Sequence, residues 1–307
     1  MTEFPPPFAA GAAYIDGRYM PIDDAAIPIT DWGYRRSDVT YDVVGVRRGA
    51  FFRLDDHVRR FRASMNAFRF NPKESDEDIK AILHRCVALA GLRDAYVAVD
   101  CLRGRPPAGM PYHPAYARNY VAAFAVPWIS LLQPNVMARG AHLVVAETLR
   151  IPGTSVDPRA KNFHWADLTR GQFEAHDRSA DFCVLLDEHG YVTEGPGFNI
   201  FVVTDERIAT PDTGVLEGIT RRSVIELCDD LGLSIEVRPV PVAELRDADE
   251  IFLSTTAGGV MPASRIDGRI MGNDRPGPVS TRVHDRFWAR RAEGWHATPV
   301  DYAAAAI

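Results

Sequence analysis

Residues 191–203 read YVTEGPGFNIFVV, a strand-forming run broken in its middle by Glu194-Gly195-Pro196-Gly197. Its β-branched and aromatic residues favour extended chain. An ionised carboxylate inside such a run is costly unless it meets a group that needs a negative charge, and the glycines let the backbone approach a flat ring closely. A loop bend with a solvated Glu194 satisfies the same letters. Downstream, Leu216-Glu217-Gly218-Ile219-Thr220-Arg221 puts a glycine, backbone amides and a hydroxyl at a helix start. That arrangement suits a phosphate, although most helix starts carry some such cap. Ser254-Thr255-Thr256-Ala257-Gly258-Gly259 repeats the idea after a strand.

Upstream of this segment the informative residue is a lysine. Of 35 basic residues only Lys73, Lys80 and Lys161 are lysines. Arginine stays protonated in proteins, whereas a lysine becomes a usable amine when desolvated or set beside another cation. Lys73 lies in a polar loop, and Lys80 follows three acids on the polar side of a helix. Lys161 precedes Asn162-Phe163-His164-Trp165 with no carboxylate within three residues. It reads either as a snorkelling lysine at a helix start or as a Schiff-base lysine. Arg60, in His57-Val58-Arg59-Arg60, is placed to complete a charge-assisted phosphate clamp, with Arg59 adjacent and exposed by periodicity.

The whole chain has 307 residues, a net charge of -6 and 46% hydrophobic residues, an ordinary globular composition. A mild acidic excess without a basic run argues against a nucleic-acid partner. Apolar stretches of strand length argue against a membrane span, and the start MTEFPPPFAAGAAYIDG lacks the basic patch and apolar run of a signal peptide. Cys86, Cys101, Cys183 and Cys228 are too scattered for a metal knuckle or a disulfide framework. The expectation is a cytoplasmic protein with buried thiols and no metal.

Hairpins are expected around Asp16-Gly17 and Arg48-Gly49. A helix should begin at Asp55 or Asp56, and a second should follow the Ser75/Asp78 capping box and stop at Gly91. Strands are expected over 95–102 and 119–128. Two prolines bracket residues 127–137, which read as a linker. Beyond it come strands at 142–148, 182–187, 191–203 and 250–256, and helices at 162–176, 220–231 and 279–293. The pattern is α+β in two lobes: an N-terminal domain over 1–127, a linker over 128–137 and a C-terminal domain over 138–307.

In order and spacing, Lys161 and the segments at 194–199, 216–221 and 254–259 resemble the class IV (fold type IV) pyridoxal-phosphate aminotransferases. That family includes branched-chain and D-amino acid aminotransferases and aminodeoxychorismate lyases, and the resemblance spans nearly the whole chain. Ser37-Asp38-Val39-Thr40-Tyr41-Asp42-Val43, Phe52-Arg53-Leu54-Asp55-Asp56-His57, Asp157-Pro158, Lys161-Asn162-Phe163, Trp165, the run from Glu194 to Asn199 and Thr255-Thr256-Ala257-Gly258-Gly259 look most like the (R)-selective amine transaminases.

The resemblance implies a D-amino acid aminotransferase-like fold, with a smaller N-terminal lobe and a larger C-terminal lobe around a β-barrel-like sheet. It also implies a homodimer with its active site at the subunit interface. Lys161 would hold pyridoxal 5'-phosphate and shuttle the Cα proton, and Glu194 would keep the pyridine nitrogen protonated. Arg60, Ile219, Thr220, Thr255 and Thr256 would grip the phosphate, with Trp165 and Asn199 also at the cofactor. Tyr41, Val43, Ala257 and Gly258 would shape the substrate pocket.

Some positions depart from the family. Branched-chain enzymes carry Phe-x-Gly-x-Arg where this chain has Tyr41-Asp42-Val43-Val44-Gly45. Arg36 replaces a frequent histidine, and the loop Arg103-Gly104-Arg105-Pro106-Pro107 is short and proline-rich. Candidates for a movable carboxylate-binding arginine are Arg105, Arg36 and Arg150. The implied reaction is ping-pong transfer from an (R)-amine or D-configured donor to a keto acid such as pyruvate. The alternatives are D-amino acid or branched-chain transamination, a lyase of the aminodeoxychorismate type, and a non-catalytic binding protein.

Overall fold

A computed structural model describes residues 7–306. Asp16-Gly17 turns β1 (Ala12–Ile15) back into β2 (Arg18–Pro21), as the hairpin signal requires. A short helix, α1 (Trp32–Arg36), leads into β3 (Val39–Arg47), which Arg48-Gly49 joins to β4 (Ala50–Phe52). Helix α2 (Leu54–Ala67) buries Val58, Phe61 and Met65. Helix α3 (Asp76–Ala90) starts on the reciprocal Ser75/Asp78 capping box and ends at Gly91 in the left-handed region. Strands β5 (Ala95–Leu102) and β6 (Tyr120–Pro127) complete this part. Alternate residues Val44, Val46, Val97, Val99, Cys101, Val121, Ala123 and Ala125 face α2 and α3 and build one core with Phe61, Met65, Ile79 and Leu83. The opposite face carries Val39, Leu102 and Ala122 as a smaller apolar cluster.

The second unit begins within the expected linker. Its residues from Pro134 form a helix, α4 (Pro134–Arg139), because proline at the first helical position costs no hydrogen bond. Strand β7 (Ala141–Val145) precedes α5 (Ala166–Asp177), which starts four residues later than expected. Strands β8 (Phe182–Val184), β9 (Asn199–Thr204) and β10 (Arg207–Thr210) follow, then α6 (Ile219–Leu231), β11 (Ile235–Val237) and α7 (Val242–Asp247). Strands β12 (Glu250–Thr255), β13 (Gly259–Ile266) and β14 (Arg269–Ile270) and helix α8 (Pro278–Ala292) complete it. The sheet order is β11-β10-β9-β12-β13-β7-β8, with β14 on β13. Ile200, Val202, Leu253 and Met261 share its main core, whereas Phe201 stacks on Phe252 at 4.7 Å on the alternate positions.

The expected strand over 191–203 holds only from Asn199. Before it, Leu185 N donates to the Glu194 carbonyl and Thr193 N to the Leu185 carbonyl, and the chain then folds tightly between Gly195 and Phe198. Gly197 supplies that turn with φ of 82°. The last strand, β15 (Ala297–Pro299), belongs to the first sheet, whose order is β15-β4-β3-β5-β6-β1-β2.

Contacts divide the chain into two compact units that do not follow a single cut. Described residues up to Ile129, Ala160–Phe163 and those from Trp295 onward form the first; Ser130–Arg159 and His164–Gly294 form the second. All four cysteines are buried and free. Among the described residues no helix is long and apolar enough to cross a membrane.

Candidate active site

Lys161 belongs to the first unit through backbone bonds, which is why the predicted helix start at Asn162 fails. Asn162 forms an antiparallel bridge with Thr40, the Lys161 carbonyl accepts from Tyr41 N at 3.2 Å, and Lys161 N donates to Ser64 Oγ at 3.0 Å. Residues 160–163 therefore extend the β3 edge. Lys161 Nζ stands 4.3 Å from the Tyr41 ring centroid, and Phe163 meets the same ring edge-on. The other lysines are occupied differently. Lys80 bridges Asp55 at 2.6 Å and Glu77 at 2.9 Å, contacts that raise its pKa, and Lys73 is exposed near Asp16.

Strand alternation sends Tyr41 and Val43 to the face that carries Lys161 and sends Asp42 to the helix side. There Asp42, 2% exposed, takes Nε and Nη2 of Arg60 at 2.8 Å each and His57 Nδ1 at 2.7 Å. Burial pushes the Asp42 pKa up, but Arg60 and His57 more than offset it and hold the carboxyl well below its ordinary range. Burial also lowers the His57 pKa despite Asp42, so the ring is a neutral Nδ1–H donor. Arg59 points outward to Asp56.

In the second unit Glu194 is 7% exposed and joins a buried trio. Its Oε1 accepts from Arg150 Nε at 3.3 Å and Nη2 at 3.1 Å, and Arg150 Nη1 donates to Asp167 at 2.6 Å. Burial disfavours the Arg150 charge, yet the two carboxylates outweigh it and raise its pKa. Glu194 Oε2 also accepts Leu216 N at 2.9 Å, while Asn199 Nδ2 donates to the Leu216 carbonyl at 2.8 Å. Glu194 and Asn199 thus clamp the loop that opens α6 from both sides. A Cβ on Gly218 would come within 2.1 Å of Asn199 Oδ1, so any side chain there would displace the Asn199 amide. The first turn of α6, with buried Ile219 and Thr220, has no side-chain cap and leaves its positive end for an anion. Thr255 Oγ1 accepts Ala257 N, which turns β12 toward Thr256 and Gly258. Trp165 lies at the start of α5, and a Cβ on Gly197 would lie 3.6 Å from its ring.

Over residues 40–266 the sequence matches the family described as Amino-transferase class IV. The chain belongs to the class IV aminotransferases. It is 30% identical over 271 residues to the D-alanine aminotransferase of Bacillus licheniformis, which covers 87% of this chain and 93% of that one. It is 29% identical over 241 residues to the branched-chain-amino-acid aminotransferase of Salmonella typhimurium strain LT2, covering 77% of each. Among solved structures, the T.th. branched-chain amino acid aminotransferase with pyridoxamine 5'-phosphate superposes with a TM-score of 0.88 at 29% identity, over 95% of this chain and 99% of that one.

The three candidate arginines of this aminotransferase have different surroundings. Arg150 is 11% exposed and sits in the Glu194 trio. Arg36 lies 3.8 Å over the Trp32 ring and 5.4 Å from that of Tyr112. Arg105 is exposed on its loop and makes no ion pair among the described residues. Sequence reasoning missed Asp167 and the partners of Asp42. An acid at an inward strand position, with His57 and Arg60 three apart on the next helix, was the available signal for the second.

Proposed function

We propose that this aminotransferase moves an amino group from an (R)-amine, or a D-configured donor, to a keto acid such as pyruvate, with pyridoxal 5'-phosphate as cofactor and by a ping-pong course. The donor set fits that cofactor: a lysine amine against an aromatic ring, a buried glutamate fixed by an arginine, and an uncapped helix start behind a glycine-tight loop. When bound, pyridoxal phosphate supplies an electrophilic aldehyde and a ring that accepts the electron pair released at the donor Cα. Lys161 Nζ holds the cofactor and then carries the Cα proton as base and acid. Glu194, oriented by Arg150 and Leu216 N, keeps a proton on the ring nitrogen. Ile219 and Thr220, Thr255 and Thr256, and Arg60, itself aligned by Asp42, hold the phosphate. Tyr41, Val43, Ala257 and Gly258 border the substrate, and two copies assemble as the family resemblance implies.

The observation that carries the amine reading is the face around Lys161. Its side chains on β3, β5 and β6 are Val39, Tyr41, Val43, Tyr96, Ala98, Asp100, Leu102, Tyr120, Ala122 and Phe124. None is an arginine, so a donor α-carboxylate meets no fixed guanidinium there, while Arg105 remains for the carboxylate of the acceptor. The relatives favour a second reading, transfer from D-alanine or a branched-chain amino acid. Assay of (R)- and (S)-1-phenylethylamine with pyruvate separates the two. Turnover of the (R)-amine alone is expected; activity confined to D-alanine or leucine would reject the first reading.

A further inference from the structure

One acid on the Lys161 face has no role in the reaction as derived above. Asp100 lies opposite Tyr41 on β3 and Ala122 on β6, and Tyr41 in turn pairs with Lys161 through the bridge at Thr40 and Asn162. Lys161, Tyr41 and Asp100 therefore form one cross-strand row, and side chains directly opposite one another share a face. Two strand spacings, roughly 10 Å, separate the lysine and aspartate backbones, a span that a short aliphatic chain bridges once the lysine side chain supplies the rest. Asp100 is partly exposed among apolar neighbours, and among the described residues no hydrogen bond or ion pair holds its carboxyl.

We propose that Asp100 determines donor specificity by binding a second, terminal ammonium group, so that diamines are the preferred amino donors. This rests on the amine-transaminase reading given above. An ionised carboxyl beside Leu102 and Ala122 is relieved by a cation held at hydrogen-bond distance, and repels a donor that ends in a carboxylate. Burial pushes the Asp100 pKa up to about 7. The titratable groups facing it are Tyr41 from β3, Tyr96 on its own strand, Tyr120 from β6 and Lys161. Burial holds Tyr96 and Tyr120 neutral by raising their pKa values. Above about pH 7 the carboxyl is charged and attracts the ammonium; below it the carboxyl is protonated and the attraction is lost.

The test compares (R)-pentane-1,4-diamine, with its stereocentre at C4, and (R)-2-aminopentane, which differ only in the terminal ammonium. The ratio of their kcat/KM values cancels the titration of Lys161 and the cofactor, which both donors share. In the wild type the ratio should favour the diamine and rise about tenfold from pH 6 to pH 8.5, the size of a charge-assisted bond. Asp100→Asn should lower the ratio at pH 8.5 and flatten its pH dependence while (R)-2-aminopentane is still turned over. A ratio near one, or one independent of pH in the wild type, overturns the proposal without needing the variant to fold. A wild type that converts neither amine overturns the amine reading and this inference together.

Discussion

Two buried ionic trios can be compared, one in each unit. Around Asp42 a single carboxylate faces one guanidinium and a neutral imidazole, so the trio is electrically closed. Around Arg150 two carboxylates, Glu194 and Asp167, share one guanidinium. Removing charges from water is repaid only by opposite charge and hydrogen bonds at close range. The first trio serves to hold Arg60 in a fixed direction. The second fixes Glu194 between Arg150 and Leu216 N, as its proposed role at a protonated ring nitrogen requires. Both use the same residue types, and they differ in the group that each holds in place.

The largest effect should come from outside both trios. Lys161→Ala should cut transamination by about 10³-fold or more and abolish borohydride trapping of the cofactor on the protein; a label on Lys73 or Lys80 would refute the assignment. Next, Arg150→Met leaves two buried carboxylates without their shared cation. It should destabilise by ~3–5 kcal/mol in urea unfolding, more than Asp42→Asn, which strands only Arg60. If the two losses are equal, the contrast between the trios disappears. Asp42→Asn should also weaken cofactor retention, measured by dialysis and absorbance, because Arg60 loses its alignment.

Glu194→Gln sharpens the comparison further. It removes the charge facing Arg150 while Asp167 still pairs that arginine, so the melting temperature should fall less than in Arg150→Met while turnover falls ~100-fold. A variant with full turnover would take Glu194 out of the mechanism. The smallest effect is with pH. His57 and Asp42 both have pKa values lowered by the fold, so each contributes stability that is present above its unfolded pKa and lost on acidification. Because His57 stays neutral below its ordinary 6.5, lowering the pH from 6.5 to 5 should cost up to about 2 kcal/mol, visible by urea unfolding and by imidazole NMR shifts.

Local signals are legible in the sequence wherever the deciding interaction is itself local. The Asp16-Gly17 hairpin, the Ser75/Asp78 box and the Gly91 stop need only neighbours along the chain. The lysine, Glu194 and the α6 start are also readable, because each breaks a local pattern. What cannot be read depends on partners far away in sequence. The helix expected at Asn162 starts at Ala166 because Thr40 and Tyr41 claim residues 161 and 162. The strand expected from Tyr191 starts at Asn199 because Glu194 needs the intervening backbone to reach Arg150 and Leu216. Arg150 reads as a movable arginine, since nothing in its neighbours along the chain reveals that Asp167 and Glu194 grip it.

Residues 160–163 lodge with the first unit while the chain on either side of them lodges with the second. A gene cut at the boundary after Ile129 would therefore yield two unequal products. The N-terminal piece would own the strand edge but no reactive amine, and the C-terminal piece would own the amine with no edge to seat it. Neither half is an exchangeable cassette, and recombination between relatives should succeed only when both segments are inherited from one parent.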